Sequence, residues 1–133
     1  MKILNIQMEK IYKMDLYRGD VVYVNLDPTQ GSETGKTRPC IIIQNNVLNK
    51  NAPTIIVAVI TGRDRIKKKY PSHVWINKDN GGLTKDSTIQ CEQIRTIDKS
   101  RILRKVGSVN HYCLQKIEEA IKITLSFGKY SNL

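Results

Sequence analysis

The chain has 133 residues, 40% of them hydrophobic and 26% charged, with 22 Lys and Arg against 12 Asp and Glu for a formal net charge of +10. The length fits one domain with its own core, the composition favours a globular chain over a disordered one, and so large a basic excess points to a polyanionic partner. No stretch of the sequence reaches the roughly 18 apolar residues of a membrane span. Cys40, Cys91 and Cys113 show no spacing that would enclose zinc or build a disulfide framework, so a reducing cytoplasm is the expected compartment.

Residues 1–16 read as an N-terminal extension, either flexible or weakly helical through Ile3, Leu4, Met8, Ile11 and Tyr12, and without the pattern of a signal peptide. Residues 17–133 read as a single domain. Gly19–Leu26 is a predicted strand in which Val22, Val24 and Leu26 alternate with Val21, Tyr23 and Asn25. A polar loop rich in Gly, Ser and Thr follows, bounded by Pro28 and Pro39, and it gives way to the apolar run Cys40–Ile43. Glycines let backbone N–H groups approach a ligand closely, and Lys36 and Arg38 bring positive charge to the same loop. That combination suits phosphate.

Pro39–Gln44 has the continuous apolar pattern of a strand buried on both sides. The Asn-rich segment 45–51 offers a helix cap and room for little more than one helical turn. Pro53–Thr61 is the strongest strand pattern in the chain, ending at Thr61-Gly62. The basic loop Arg63–Pro71, with Arg63, Arg65 and Lys67–Lys69, suits the steering of a polyanion towards the segment after Thr61. A strand over Ser72–Asn77 ends in the turn Asp79–Gly82. A long strand over Ser87–Ile97 alternates Ile89, Cys91, Gln93 and Arg95 against Thr88, Gln90, Glu92, Ile94 and Thr96, and its polar second half is expected to line a site or an interface. Arg101–Val106 is a further short strand. From Asn110 to Phe127, apolar positions recur at helical spacing, Ser108 or Asn110 can cap the start, and Glu118 with Lys122 forms an i,i+4 pair.

Five to seven short strands closed by one C-terminal amphipathic helix predict a mainly β fold with α, a small antiparallel barrel. At this point the sequence resembles a known family. The string RGDVVYVNLDPTQGSETGKTRPCIIIQNN, followed in order by VAVITGR and EQIRTIDKSRI, is similar to the PemK/MazF toxins over about Tyr17 to Phe127. The resemblance implies an SH3-like antiparallel β-barrel of the PemK/MazF/CcdB kind with a C-terminal amphipathic helix, forming a homodimer. It implies a toxin of a type II toxin–antitoxin system that cuts messenger RNA, held in check by an acidic antitoxin of the MazE kind, with DNA met only indirectly through that antitoxin.

The residues themselves narrow the chemistry. His73 and His111 are in no metal-ligand spacing, no carboxylate cluster suits magnesium, and neither a phosphate-binding lysine loop nor a nucleophile elbow is present in the sequence. No cofactor is expected. An RNA-cleaving enzyme without metal can use attack of the 2′-hydroxyl on its own phosphate, which needs a proton acceptor, a donor to the leaving oxygen and charge for the phosphorane oxygens. Arg38 can give bidentate hydrogen bonds to phosphate and Thr61 can add a hydroxyl. The resemblance implies that this Arg and this Thr are the catalytic pair. Because a guanidinium is not deprotonated near neutrality, the reading gives Arg38 the roles of stabiliser and proton donor and leaves the base open.

By the same resemblance Ser32 and Glu33 meet the RNA beside the cleaved bond, with Glu33 a candidate proton acceptor, and Gln93 reads an unpaired base edge. Lys36, Arg63, Arg65 and Lys67 complete the expected RNA contacts. His73 reads either as a strand surface residue or as one half of a His-based acid–base pair with His111. A second class of function stays open on the same barrel: a non-catalytic toxin of the CcdB kind that binds a protein such as DNA gyrase, and that would need neither Arg38 nor Thr61.

Overall fold

The computed structural model describes residues 14–133. The helix weighed for residues 3–12 therefore lies outside the described residues. Six strands are present: β1 (Asp20–Asn25), β2 (Thr37–Ile42), β3 (Thr54–Gly62), β4 (His73–Ile76), β5 (Ser87–Asp98) and β6 (Ile102–Ser108). Two helices, α1 (Asn46–Asn51) and α2 (His111–Leu125), complete the regular structure of the described residues with four short 3-10 turns. The strands form one antiparallel sheet in the order β4-β5-β3-β2-β1-β6. The expected mainly β fold with a C-terminal helix is observed. Its ladder is not closed by hydrogen bonds among the described residues, because β4 and β6 are both edges.

Backbone contact takes the place of a closing ladder. The turn Asn80–Gly82 after β4 lies directly on β6: a Cβ at Gly107 would fall 2.5 Å from the Gly81 carbonyl oxygen, and one at Gly82 would overlap the Val106 carbonyl oxygen. Gly82 also has φ +77°, where an L side chain is disfavoured, so glycine is needed there for both space and backbone. The sheet is thereby curled until its two edges meet through main chain.

Both faces of the sheet are buried, which explains the unbroken apolar runs in the sequence. Val22, Val24, Leu26, Cys40, Ile42, Ile55, Val57, Val59, Ile97 and Ile102 form one cluster with Leu16. Val21, Ile41, Ala58, Ile60, Val74, Ile76, Ile89 and Cys91 form the other, under Ile117 and Ala120 of α2. The alternation expected for β1 is thus present, but both of its faces are covered. Leu16, placed in the extension by sequence, is only 6% exposed and belongs to the core.

The alternation expected along β5 breaks. Val59 pairs with Gln90 whereas its neighbour Ala58 pairs with Ile94, so residues 91–93 have no partner on β3. An odd number of inserted residues reverses side-chain parity. Ile89 and Cys91 consequently face α2, while Ile97, also odd-numbered, faces the opposite cluster. Gln93 is the last residue of this bulge.

The helices follow their caps. Asn45 accepts from the Leu48 N–H at 2.9 Å and Asn110 from the Cys113 N–H at 2.9 Å. Short as it is, α1 is fixed by a buried amide pair, Gln44 with Asn49, and by the Lys99 ammonium on the Asn49 carbonyl at 2.6 Å. Within α2, Ile117 and Ala120 are the buried positions, whereas Tyr112 and Leu125, read as part of the apolar stripe, are 65% and 47% exposed. Glu118 is paired with Arg18 at 2.9 Å rather than with Lys122, tying the helix to the start of β1.

Candidate active site

The loop between β1 and β2 is rigidly anchored. Asp27 Oδ1 accepts from the Lys36 N–H at 2.8 Å, and the Leu26 N–H donates to the Lys36 carbonyl at 2.9 Å, closing the loop at its neck. Arg95 donates to the Leu26 carbonyl at 2.7 Å and Arg101 to that of Asp27 at 2.6 Å. Gly35 has no room for a side chain, since a Cβ would lie 2.5 Å from Thr29 Oγ1 and 2.7 Å from Asp27 Oδ1. Lys36 adopts φ +65°, and its side chain is exposed.

This neck delivers Arg38. Its Nε donates to the Gly35 carbonyl at 3.2 Å, which aims the guanidinium; among the described residues the two terminal nitrogens have no protein partner. Arg38 is half-buried, in register with Val24 on β1. Thr61, 6% exposed, sits at the end of β3, paired with Thr88 on β5. Arg38 and Thr61 line one cleft of about 180 Å3, whose other walls include Tyr23, Pro39, Gly62, Lys85 and Ser87.

Three residues of that wall were not expected from sequence. Tyr23 stands opposite Pro39 across the β1–β2 ladder, and Ser87 opposite Gly62 across the β3–β5 ladder. Lys85 comes with Ser87. Only strand register brings these positions to Arg38; the one sequence hint was the aromatic placed on the polar face of β1.

The other expected residues distribute unevenly. Ser32 and Glu33 lie exposed on the loop, away from the walls of the cleft. Glu33 takes part in a reciprocal turn, its N–H donating to the Gln30 carbonyl at 3.1 Å and its Oε1 accepting from the Gln30 N–H at 2.9 Å. Gln93, at the β5 bulge, accepts from the Thr34 N–H at 3.5 Å, so its amide faces the same loop. Arg63 borders the cleft from the residue after Gly62 but is engaged: it donates to Asn77 Oδ1 at 3.2 Å, stands 3.9 Å from Asp86, and covers the Trp75 ring at 4.8 Å. Arg65 and Lys67 are exposed on the following segment and do not line the cleft.

His73 is a buried residue, not a surface one. Nδ1 accepts from the Tyr70 N–H at 3.1 Å, and Nε2 lies 2.7 Å from Glu92 Oε2. An accepting Nδ1 leaves the proton on Nε2 to be donated to the carboxylate, so both ring nitrogens are occupied in holding the Tyr70 turn against β5. His111 is exposed at the start of α2, where its Nε2 meets Gln115 at 3.3 Å. Each histidine is thus used locally, and the His73–His111 pair is not assembled.

Burial pushes the thiols of Cys40 and Cys91 up to about 12, and that of Cys113 upward as well, so none is activated as a nucleophile. Among the described residues no group of three or more His, Cys, Asp or Glu side chains could hold a metal ion. No helix in this part of the chain is long and apolar enough to cross a membrane.

Comparison with known proteins places this architecture. A sequence model described as the PemK-like, MazF-like toxin of type II toxin–antitoxin systems matches residues 17–125. A curated relative, endoribonuclease MazF of Staphylococcus saprophyticus, is 49% identical over 108 residues, covering 81% of this chain and 89% of that protein. Among solved structures, MazF of Deinococcus radiodurans superposes with a TM-score of 0.73 at 20% identity, over 86% of this chain and all of that one. A mycobacterial endoribonuclease in complex with its cognate antitoxin gives 0.69 at 20% identity, over 85% and 97% of the two chains. The match spans the loop, the cleft and the C-terminal helix alike, and the chain belongs to the PemK-like, MazF-like toxin family of type II toxin–antitoxin systems.

Proposed function

We propose that the chain is a sequence-specific endoribonuclease that cuts single-stranded messenger RNA without a metal, by attack of a 2′-hydroxyl on the adjacent phosphate. The observation that carries this reading is the convergence of Arg38 and Thr61, 23 positions apart in sequence, on one cleft. The family relationship and the endoribonuclease named among its relatives give it independent support.

The cleft supplies cations and neutral donors rather than anionic ligands, which suits a phosphodiester and not a divalent ion. Arg38, its terminal nitrogens without a partner among the described residues, donates to two non-bridging oxygens and stabilises the charge of the phosphorane. Thr61 adds a hydroxyl hydrogen bond from the end of β3. The leaving 5′-oxygen takes its proton from this donor set, giving a 2′,3′-cyclic phosphate and a 5′-hydroxyl. The acceptor of the 2′ proton stays open in this reading: Glu33 keeps Oε2 without a partner among the described residues but lies off the cleft walls.

Ser32, Lys36 and Gln93 surround the loop as RNA contacts, and Arg63, Arg65 and Lys67 supply steering charge in the same reading. Gln93 reads a base through the amide group that Thr34 leaves free. A second copy of the chain completes the groove as a homodimer. An acidic antitoxin with an extended segment occupies the basic groove in place of RNA, as the +10 charge favours; DNA is met only through that antitoxin. The working compartment is the cytoplasm.

The test is incubation of the purified protein, in excess EDTA, with a long single-stranded RNA and the matching DNA. Cuts at one short repeated sequence, in RNA alone, with 5′-hydroxyl ends, are expected. A folded, growth-inhibiting protein that leaves RNA intact would overturn the reading in favour of a toxin acting on a protein target.

A further inference from the structure

We infer that Lys85 is a second phosphate-binding cation of the cleft and that Asp64 is a competing anion which holds it until RNA arrives. The inference rests on the RNA reading above and adds two residues to that site. At the end of the β3–β5 ladder, where Gly62 pairs with Ser87, two short segments exchange charges crosswise: Asp64 faces Lys85 at 3.7 Å and Arg63 faces Asp86 at 3.9 Å.

The two cations of this quartet differ in freedom. Arg63 is fixed by Asn77, by Asp86 and by the Trp75 ring, and its side chain is 27% exposed. Lys85 lines the cleft with Arg38 and Thr61 and has Asp64 as its ion partner. That pair is wide, with side chains 58% and 76% exposed, so solvent screens it and it contributes little to stability.

The pair lies over Gly62. A Cβ there would lie 2.6 Å from the Lys85 ammonium and 2.5 Å from Asp64 Oδ1, so both charged ends rest over the backbone beside Thr61. Gly62 has φ −61°, which any residue can adopt. A Cβ here would meet only the ends of two flexible, exposed side chains, so the glycine leaves room for the pair without being required by it. A phosphodiester seated between Arg38 and Thr61 presents anionic oxygens in the cleft that Lys85 already lines. The flexible ammonium exchanges a screened carboxylate for the phosphate, while Asp64, of like charge, turns into solvent. Asp64 thereby weakens RNA binding and keeps the cation in place.

The probe is a single-stranded RNA spanning the mapped cut site, carrying a 2′-deoxy nucleotide at the attacking position so that it binds without being cut. Lys85→Gln should weaken binding about fivefold, on the scale of one exposed charge contact. It should also reduce the slope of log affinity against log salt by about 0.7, the value for one neutralised phosphate of a single strand. Asp64→Asn should strengthen binding about threefold in the native background and leave it unchanged in Lys85→Gln protein, because its effect passes through that lysine. An unchanged salt slope in Lys85→Gln, or an equal gain from Asp64→Asn in both backgrounds, would overturn the inference. Cleavage of the unmodified RNA by Arg38→Ala and Lys85→Gln proteins separates the two ideas. Cutting that depends on Arg38 but not on Lys85 sinks the inference alone, whereas a native protein that neither binds nor cuts RNA sinks both.

Discussion

Replacement of Arg38 by alanine separates catalysis from folding most cleanly, because the structure assigns the side chain almost no architectural work. It is half-buried, lies outside both apolar clusters, and among the described residues makes one hydrogen bond, from Nε to the Gly35 carbonyl. Loss of that bond costs about 1 kcal/mol of stability, and the neck of the loop keeps its Asp27, Arg95 and Arg101 contacts. The chemical cost is larger. A preorganised donor to a developing oxyanion contributes about 3–4 kcal/mol, so cleavage should fall by about 100- to 1000-fold. Arg38→Lys should recover only part of this, since an ammonium cannot give the paired hydrogen bonds of a guanidinium. The assay is single-turnover cleavage of an RNA with enzyme in excess, beside a thermal unfolding curve for each variant. A folded Arg38→Ala protein that cuts within tenfold of the native rate would refute the reasoning.

Three further outcomes test the fold. Gly82→Ala, at φ +77° and with its Cβ overlapping the Val106 carbonyl, should cost about 2–4 kcal/mol in urea unfolding. Gly128→Ala, at φ +59° in open space, should cost only about 1 kcal/mol; equal effects would mean that main-chain contact does not curl the sheet. Ile117→Ala, fully buried beneath α2, should cost about 2–5 kcal/mol, and a near-neutral result would show that the helix is not fixed to its cluster. The pH dependence has a defined sign. Hydrogen bonds from Ser100 hold the Asp98 carboxyl below its usual value, and those from Tyr130 and then Lys129 do the same for Glu119. Both groups are thus lower in the folded state than in the unfolded chain. Their stabilisation is complete above the ordinary carboxylate range and is lost as pH falls through the folded values. Unfolding midpoints should drop on acidification, with a shallower drop in Asp98→Asn and Glu119→Gln proteins, and an identical slope in those variants would contradict the assignment.

The sequence determined a good deal by itself. Runs such as Ile55–Ile60 and Cys40–Ile42 are long in β-branched and apolar side chains because both faces of their strands are buried, and that density marks a strand regardless of context. Asn45 and Asn110 mark helix starts through side chains that bond their own backbones. Arg38 and Thr61 were legible as candidate phosphate ligands from residue type, strand ends and family resemblance, since none of these needs a fold to be seen.

What only the tertiary structure decided is everything that depends on register. The β5 bulge reverses which side chains face which cluster, and no local propensity announces a Cys91–Gln93 segment without partners on β3. His73 is buried because Glu92 and the Tyr70 N–H lie across from it, partners 19 and three positions away. Glu118 meets Arg18, a hundred residues distant, in preference to the neighbour that helical spacing offered. Lys85 and Ser87 enter the cleft for the same reason: Ser87 happens to pair with Gly62. Local chemistry follows from adjacent residues, which the chain specifies directly. The identity of a cross-strand neighbour is fixed only when the whole apolar pattern has chosen one register, and the cleft is made of such neighbours.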